Sequence, residues 1–64
     1  MKHEINEKVI NITWDRGDLI EMHDSGCADY QVSGEDEKGN IYCGDGNYQN
    51  GELIDVIGIE KIWA

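Results

Sequence analysis

The run Glu35-Asp36-Glu37 is the densest group of side chains in the chain that could do chemistry. Alternating carboxylates can bind calcium, which takes about six to eight oxygen ligands and, in a calcium loop, needs a closing glutamate at the twelfth position. Counted from Glu35, the alternate positions are Glu37 and Gly39, and the twelfth is Gly46. The spacing therefore excludes a calcium loop and predicts the solvated tip of a hairpin.

Histidine and cysteine could supply zinc ligands, but their spacing is unfavourable. Structural zinc sites pair ligands about two to four residues apart, whereas Cys43 has no close partner and His23 and Cys27 form a single pair. We therefore expect no metal and no cofactor, and we expect both cysteines to be small buried apolar residues. A Cys27–Cys43 disulfide stays open, because the two cysteines fall on strands expected to be neighbours.

His23-Asp24 beside Cys27 has the residue types of a base-activated thiol nucleophile. A catalytic pair also needs a substrate cleft, and a chain of 64 residues offers little room for one. The sequence therefore predicts a protein that is not an enzyme.

Exposed acids and one tyrosine are the candidate partner-binding residues. Tyr42 falls out of phase with Ile41 and Cys43, so the two-residue strand period predicts that Tyr42 points outward. Partly exposed tyrosines often anchor protein interfaces, although packing remains the commoner role for the tyrosines as a set. The candidate binding residues are Glu35, Asp36, Glu37, Tyr42, Asp45 and Asp55.

Two turn signals position these residues. Asn50-Gly51 is typical of a type I′ hairpin turn, in which both central residues have positive φ. Asp36–Asn40 places Gly39 where a type I turn would close with a left-handed residue. Together the two turns predict three consecutive antiparallel strands.

Hydrophobic alternation predicts the strands themselves. A turn at Asp15–Asp18, which contains Arg16-Gly17-Asp18, separates the first two strands. The second strand is favoured over a helical turn, which residues 18–23 could form instead. Gly44-Asp45-Gly46 suggests a bulge or bend, and a fault near Gly58 would let both halves of the last segment turn apolar residues inward. The expected strands are residues 8–14, 19–23, 28–34, 40–48 and 53–63.

The fold class that follows is all-β: residues 1–64 form a single domain with a five-stranded antiparallel meander, either a curled sheet or an open barrel. Isoleucine is the main aliphatic residue and favours strands. A chain this short buries only about 60% of its unfolded surface. We therefore expect marginal stability, a partner subunit, or both.

The net charge is −9, from 14 acids against five bases. This balance argues against direct binding to nucleic acid or to an anionic membrane, since both require Lys and Arg. The sequence lacks the pattern of a signal peptide and any long apolar span. We therefore expect a cytoplasmic protein with reduced thiols.

The leading hypothesis is a non-enzymatic module that presents an acidic β surface to a basic protein partner. One version is a nucleic-acid mimic that occupies a basic groove, in the manner of a phage-type inhibitor. The alternative is a homo-oligomeric structural or assembly protein, joined through exposed strand edges and the apolar residues 53–63.

Overall fold

The computed structural model describes residues 1–63, with the backbone alone for Trp63. Five antiparallel strands follow one another in a single meander sheet, which is not closed into a barrel. The predicted fold class is confirmed. The strands are β1 (Lys2–Ile5), β2 (Lys8–Met22), β3 (Cys27–Asp36), β4 (Ile41–Gln49) and β5 (Glu52–Trp63).

Both predicted turns are confirmed. Asn50 and Gly51 have φ values of 52° and 83°, as a type I′ turn requires, and Gly39 has a φ of 85°. A third turn joins β1 to β2 through Asn6 and Glu7, with φ values of 51° and 65°. Strand β1 was not predicted, because Glu7 stands in place of the usual glycine at the second position of this turn.

Strand β2 runs unbroken from Lys8 to Met22, so the predicted turn at Asp15–Asp18 is wrong. The strand favoured over a helical turn for residues 18–23 is confirmed as far as Met22. Register shifts between Arg16 and Leu19, and between Leu19 and Glu21, absorb the residues that break the alternation. Gly17 allows β2 to approach β3 closely at this point, because a Cβ there would lie 2.8 Å from the Gln31 carbonyl oxygen.

The concave face of the sheet carries the core. On β3 the predicted inward set is confirmed, with Ala28 and Val32 buried and Tyr30 half-buried. Tyr30 and Tyr48 meet edge to face, with ring centroids 5.1 Å apart. The buried apolar residues are Ile12, Ala28, Val32, Tyr42, Tyr48 and Val56.

Strand β4 has the opposite phase to the one predicted, because its buried positions are Tyr42, Gly44, Gly46 and Tyr48. The glycines face inward because the core leaves no room for a side chain. A Cβ on Gly44 would lie 2.8 Å from Val56, and one on Gly46 would lie 2.8 Å from Val32. The predicted bend at Gly44-Asp45-Gly46 is therefore wrong, because these residues continue the strand. The alternative prediction, a bulge, corresponds to the register shift between Cys43 and Asp45, whose extra residue lies on β5.

The predicted fault near Gly58 is confirmed. Cys43 pairs with Glu60 and Asp45 with Ile57, so β5 carries an extra residue there, and Gly58 has a φ of 63°. Val56 is buried before the fault and Ile59 half-buried after it. The phase proposed for the Trp63 side chain lies outside the described residues. Ile54, Ile57 and Ile62 remain exposed.

Candidate functional site

The convex face of the sheet, opposite the core, is a surface of carboxylates. Cross-strand partners share a face and successive residues alternate, so the register places eight acids on this side. All lie in β2 to β5. They form the acidic face: Asp15, Glu21, Asp29, Glu35, Asp45, Glu52, Asp55 and Glu60.

Rows across the strands show how the acids are arranged. Glu21 pairs with Asp29, Asp29 with Asn47, and Asn47 with Asp55, so three carboxylates share one row. Asp45 lies in the next row, opposite Gln31. Neighbouring strands are about 4.8 Å apart, so these carboxylates contribute to one region of negative potential.

Basic side chains are segregated from this surface. Within β2 to β5, no paired position of the acidic face carries Lys or Arg. Lys2 of β1 pairs with Asn11 and lies on the same side, at the outer edge of the sheet. Three of the five bases, Lys8, Lys38 and Lys61, instead line a groove of about 610 Å³ between the β1–β2 hairpin, the β3–β4 turn and β5. Arg16 lies over the Tyr30 ring, 4.9 Å from its centroid, at the margin of the core. The two faces of the sheet therefore differ in charge.

Asp36, a predicted binding residue, is used inside the fold. It is 9% exposed, and four groups donate to its carboxylate. Oδ1 accepts from the backbone N–H groups of Lys38 (2.8 Å) and Asn40 (3.0 Å). Oδ2 accepts from Asn40 Nδ2 and from the Tyr42 hydroxyl, both at 2.8 Å. The carboxylate therefore holds the β3–β4 turn together and is not free to bind a partner.

The electrostatic state of Asp36 follows from these bonds. Desolvation is the largest single influence and raises its pKa, but the bonds from Asn40, Tyr42 and Lys38 together outweigh it. The pKa of Asp36 therefore lies well below its usual value, and the group is charged at neutral pH.

Tyr42 is 3% exposed, so the prediction that it points outward is wrong. Its hydrogen bond to Asp36, followed by desolvation, raises the pKa of its hydroxyl. Tyr42 points inward because it has the same strand phase as Gly44 and Gly46, which must face the crowded core.

The other predicted binding residues divide between two places. Glu35, Asp45 and Asp55 belong to the acidic face. Glu37 is exposed in the β3–β4 turn and lines a groove beside Asp15 and Glu35, at the end of that face. Asp15, Glu21, Asp29, Glu52 and Glu60 were not among the predicted residues. The orientation of Glu21 depends on the bulges in β2, which the sequence pattern does not locate.

One histidine lies on the acidic face. His23 Nε2 is 2.8 Å from Asp29 Oδ2 and 3.8 Å from Glu21 Oε2. The hydrogen bond to Asp29 is the main reason that the pKa of His23 is raised, and the same bond lowers the pKa of Asp29. Asn47 Nδ2 donates to Asp29 Oδ1 at 3.1 Å. This cluster was not predicted, because in the sequence His23 stands closest to Asp24 and Cys27 and its contact with Asp29 depends on the β2–β3 hairpin.

The second histidine is part of the packing. Trp14 Nε1 donates to His3 Nε2 at 2.8 Å, and the two rings meet edge to face. Desolvation, followed by the positive charge of the N-terminus, lowers the pKa of His3. His3 is therefore neutral where it accepts this bond.

The two cysteines are separate thiols. Cys27 pairs with Gln49, whereas Cys43 pairs with Ser33, six residues further along β3. At about 3.3 Å per residue, the separation is about 20 Å, far beyond the reach of a disulfide. This register excludes the bond that the sequence left open and separates Cys43 from the His23–Cys27 pair.

The fold and this surface define the chain as a small antiparallel β meander with one strongly acidic face. Comparisons with protein-family models, with curated proteins and with solved structures find no match for it. Within residues 1–63, the structure contains no helix that is long and apolar enough to cross a membrane.

Proposed function

We propose that this protein is a non-enzymatic interaction module whose acidic face binds the basic surface of a protein partner. The observation that carries the proposal is the set of eight carboxylates on one face without Lys or Arg among them. Complementary potentials speed association and fix the orientation of two surfaces. In this proposal the protein acts in the cytoplasm, needs no cofactor, and binds neither nucleic acid nor membranes directly.

The energetic cost of the acidic face supports a role in binding. Like charges close together across strands destabilise a sheet, and Asp29 and Asp55 share one row, with Asp45 in the next. The core requires no acids on the convex side, so the fold alone does not account for them. A basic partner would relieve the repulsion on binding.

Charge density favours the nucleic-acid mimic as the form of this module. From Cys27 to Glu35 the face extends for eight residues of β3, or about 26 Å at about 3.3 Å per residue. The eight carboxylates are spread over four strands, so along this length they average one charge per about 3.3 Å, comparable with a single DNA strand (about 3.4 Å) and about half the density of the duplex (about 1.7 Å). The proposed partner is thus a protein with a nucleic-acid-binding groove, which this module would occupy.

Capture from extracts of the native host tests the proposal. The immobilised wild-type protein is compared with two triple variants of equal charge. The face variant is Glu35→Gln, Asp45→Asn and Asp55→Asn. The control is Glu4→Gln, Glu7→Gln and Asp24→Asn, whose acids are exposed, lie on β1 or in turns, and are not among the eight of the acidic face. Captured proteins are identified by mass spectrometry, purified, and titrated against each version at two salt concentrations.

We expect a basic partner that wild type and control capture equally. Because an exposed ion pair contributes about 0.2–1 kcal/mol, the face variant should bind roughly tenfold more weakly, and higher salt should weaken wild-type binding. Displacement by duplex DNA would support the mimic. Equal binding by all three versions would show that the acidic face is not the binding surface.

A homo-oligomeric structural or assembly protein is the second candidate. The observation in its favour is the set of exposed apolar side chains on β2 and β5, of which Met22 is 70% exposed and Ile57 64% exposed. A second copy could cover these side chains. Size-exclusion chromatography with light scattering at tens of micromolar decides between the two: a dimer or larger species supports this candidate, and a monomer contradicts it.

A further inference from the structure

Three ligand-type atoms converge at one end of the acidic face. His23 Nε2, Asp29 Oδ2 and Glu21 Oε2 all lie within 4.8 Å of one another. Glu21 and Asp29 are cross-strand partners, and His23 follows Glu21 by two residues, on the same side. The backbone N–H of His23 donates to the Cys27 carbonyl at 2.8 Å, which fixes the end of the hairpin that carries it.

We propose that Glu21, His23 and Asp29 form a binding site for a divalent metal ion of the zinc type. One imidazole nitrogen and two carboxylate oxygens are a ligand set that Zn²⁺ accepts at about 2.0–2.2 Å, with water completing an open tetrahedral site. Ligand atoms around such an ion are about 3.4 Å apart. The distances of 2.8 Å and 3.8 Å lie on either side of that value.

The imidazole distinguishes this cluster from the other carboxylates. Calcium and magnesium prefer oxygen ligands and about six or more of them, whereas imidazole favours zinc and its neighbours among the transition metals. The ion would replace the hydrogen that His23 Nε2 and Asp29 Oδ2 share, so binding requires only small side-chain rotations.

The surroundings favour such a site in two ways. Asn47 Nδ2 holds Asp29 Oδ1 at 3.1 Å, which leaves Oδ2 directed at His23, and hydrogen bonds of this kind orient metal ligands. The remaining carboxylates of the acidic face raise the local concentration of cations. The inference does not depend on the protein partner proposed above.

Calorimetric titration with zinc chloride tests the site, in the Cys27→Ser/Cys43→Ser background so that thiolates do not contribute. The test variant is His23→Gln, and the matched control is His3→Gln, because His3 is bound to Trp14 and lies outside the cluster. Circular dichroism verifies that each version is folded. His23 is exposed, so its replacement leaves the core intact.

We expect one zinc ion per chain, an affinity at least about tenfold weaker in His23→Gln, and no change in His3→Gln. Excess magnesium or calcium should not displace the zinc. An equal loss of zinc affinity in His23→Gln and His3→Gln would show that the ion is held only by the negative potential of the acidic face. Displacement of zinc by calcium at a similar concentration would show the same. No zinc binding in the cysteine-free background would also overturn the proposal.

Discussion

At the residue scale, single hydrogen bonds decide whether an acid serves the fold or the surface. Asp36 and Glu35 are adjacent in the chain, yet the Asp36 carboxylate accepts four hydrogen bonds while Glu35 is exposed on the acidic face. The alternation of the strand directs them to opposite sides. Residue type alone therefore does not identify a binding residue in this chain.

Substitution of Asp36 should destabilise the protein more than removal of any one of its donors. At neutral pH we expect Asp36→Asn to lower the free energy of unfolding more than Tyr42→Phe, because an amide cannot accept all four bonds. Because the pKa of Asp36 is lower in the folded state, wild type keeps this stability above about pH 4 and loses it as the pH falls further. Urea unfolding at a series of pH values measures both effects. A pH dependence in Asp36→Asn as steep as that of wild type would contradict this assignment.

At the element scale, the two central strands are regular and the two strands beside them are bulged. Strands β3 and β4 pair without interruption from Cys27 to Glu35. Every register shift places its extra residue on β2 or β5. Bulges bend and twist a strand, so β2 and β5 can curl around the core. The bulges also interrupt the unpaired edges of these two strands and make edge-to-edge pairing with other chains less favourable.

The bulge at Gly58 depends on a positive φ and not on space. No heavy atom lies within 4 Å of a Cβ built there, and φ is 63°. We expect Gly58→Ala to cost about 1–2 kcal/mol, because an L residue is strained in this conformation. Gly58→Asn should cost less, since asparagine tolerates the left-handed region. Urea midpoints rank the two variants, and an equal cost for both would show that backbone strain is not the determinant.

At the scale of the whole molecule, a few buried side chains on the concave face support the entire sheet. Only Ile12 and Val32 are fully buried among the large side chains of the described chain. A domain of this length has a total stability of about 3–10 kcal/mol. Each core residue therefore contributes a large fraction of the whole.

Truncation of the core should bring the protein close to unfolding. Ile12 is fully buried, whereas Val9 on the same strand is 70% exposed. We expect Ile12→Ala to lower the free energy of unfolding by about 2–5 kcal/mol, and Val9→Ala to change it by less than about 0.5 kcal/mol. Thermal and urea unfolding measure both. Similar effects at the two positions would contradict the core described above.

The sequence predicts the meander through its turns, because Asn50-Gly51 and Gly39 have a strong local preference for positive φ. It fails where tertiary packing opposes the local pattern. Arg16-Gly17-Asp18 has turn composition, yet pairing with β3 keeps it extended. The predicted phase of β4 was the reverse of the observed one, because Gly44 and Gly46 have the composition of a solvent-facing or bent segment. In the structure both glycines face the core, which leaves no room for a side chain at either position.

The sequence by itself determined the all-β class, the positions of the β3–β4 and β4–β5 turns, the fault near Gly58 and the net negative charge. These are properties of composition and of short-range backbone preference. Only the tertiary structure decided which acids share a face, that Asp36 and Tyr42 are buried together, and that His23 meets Glu21 and Asp29. Those outcomes depend on register, and each bulge in β2 or β5 reverses which side of the sheet the following residues occupy.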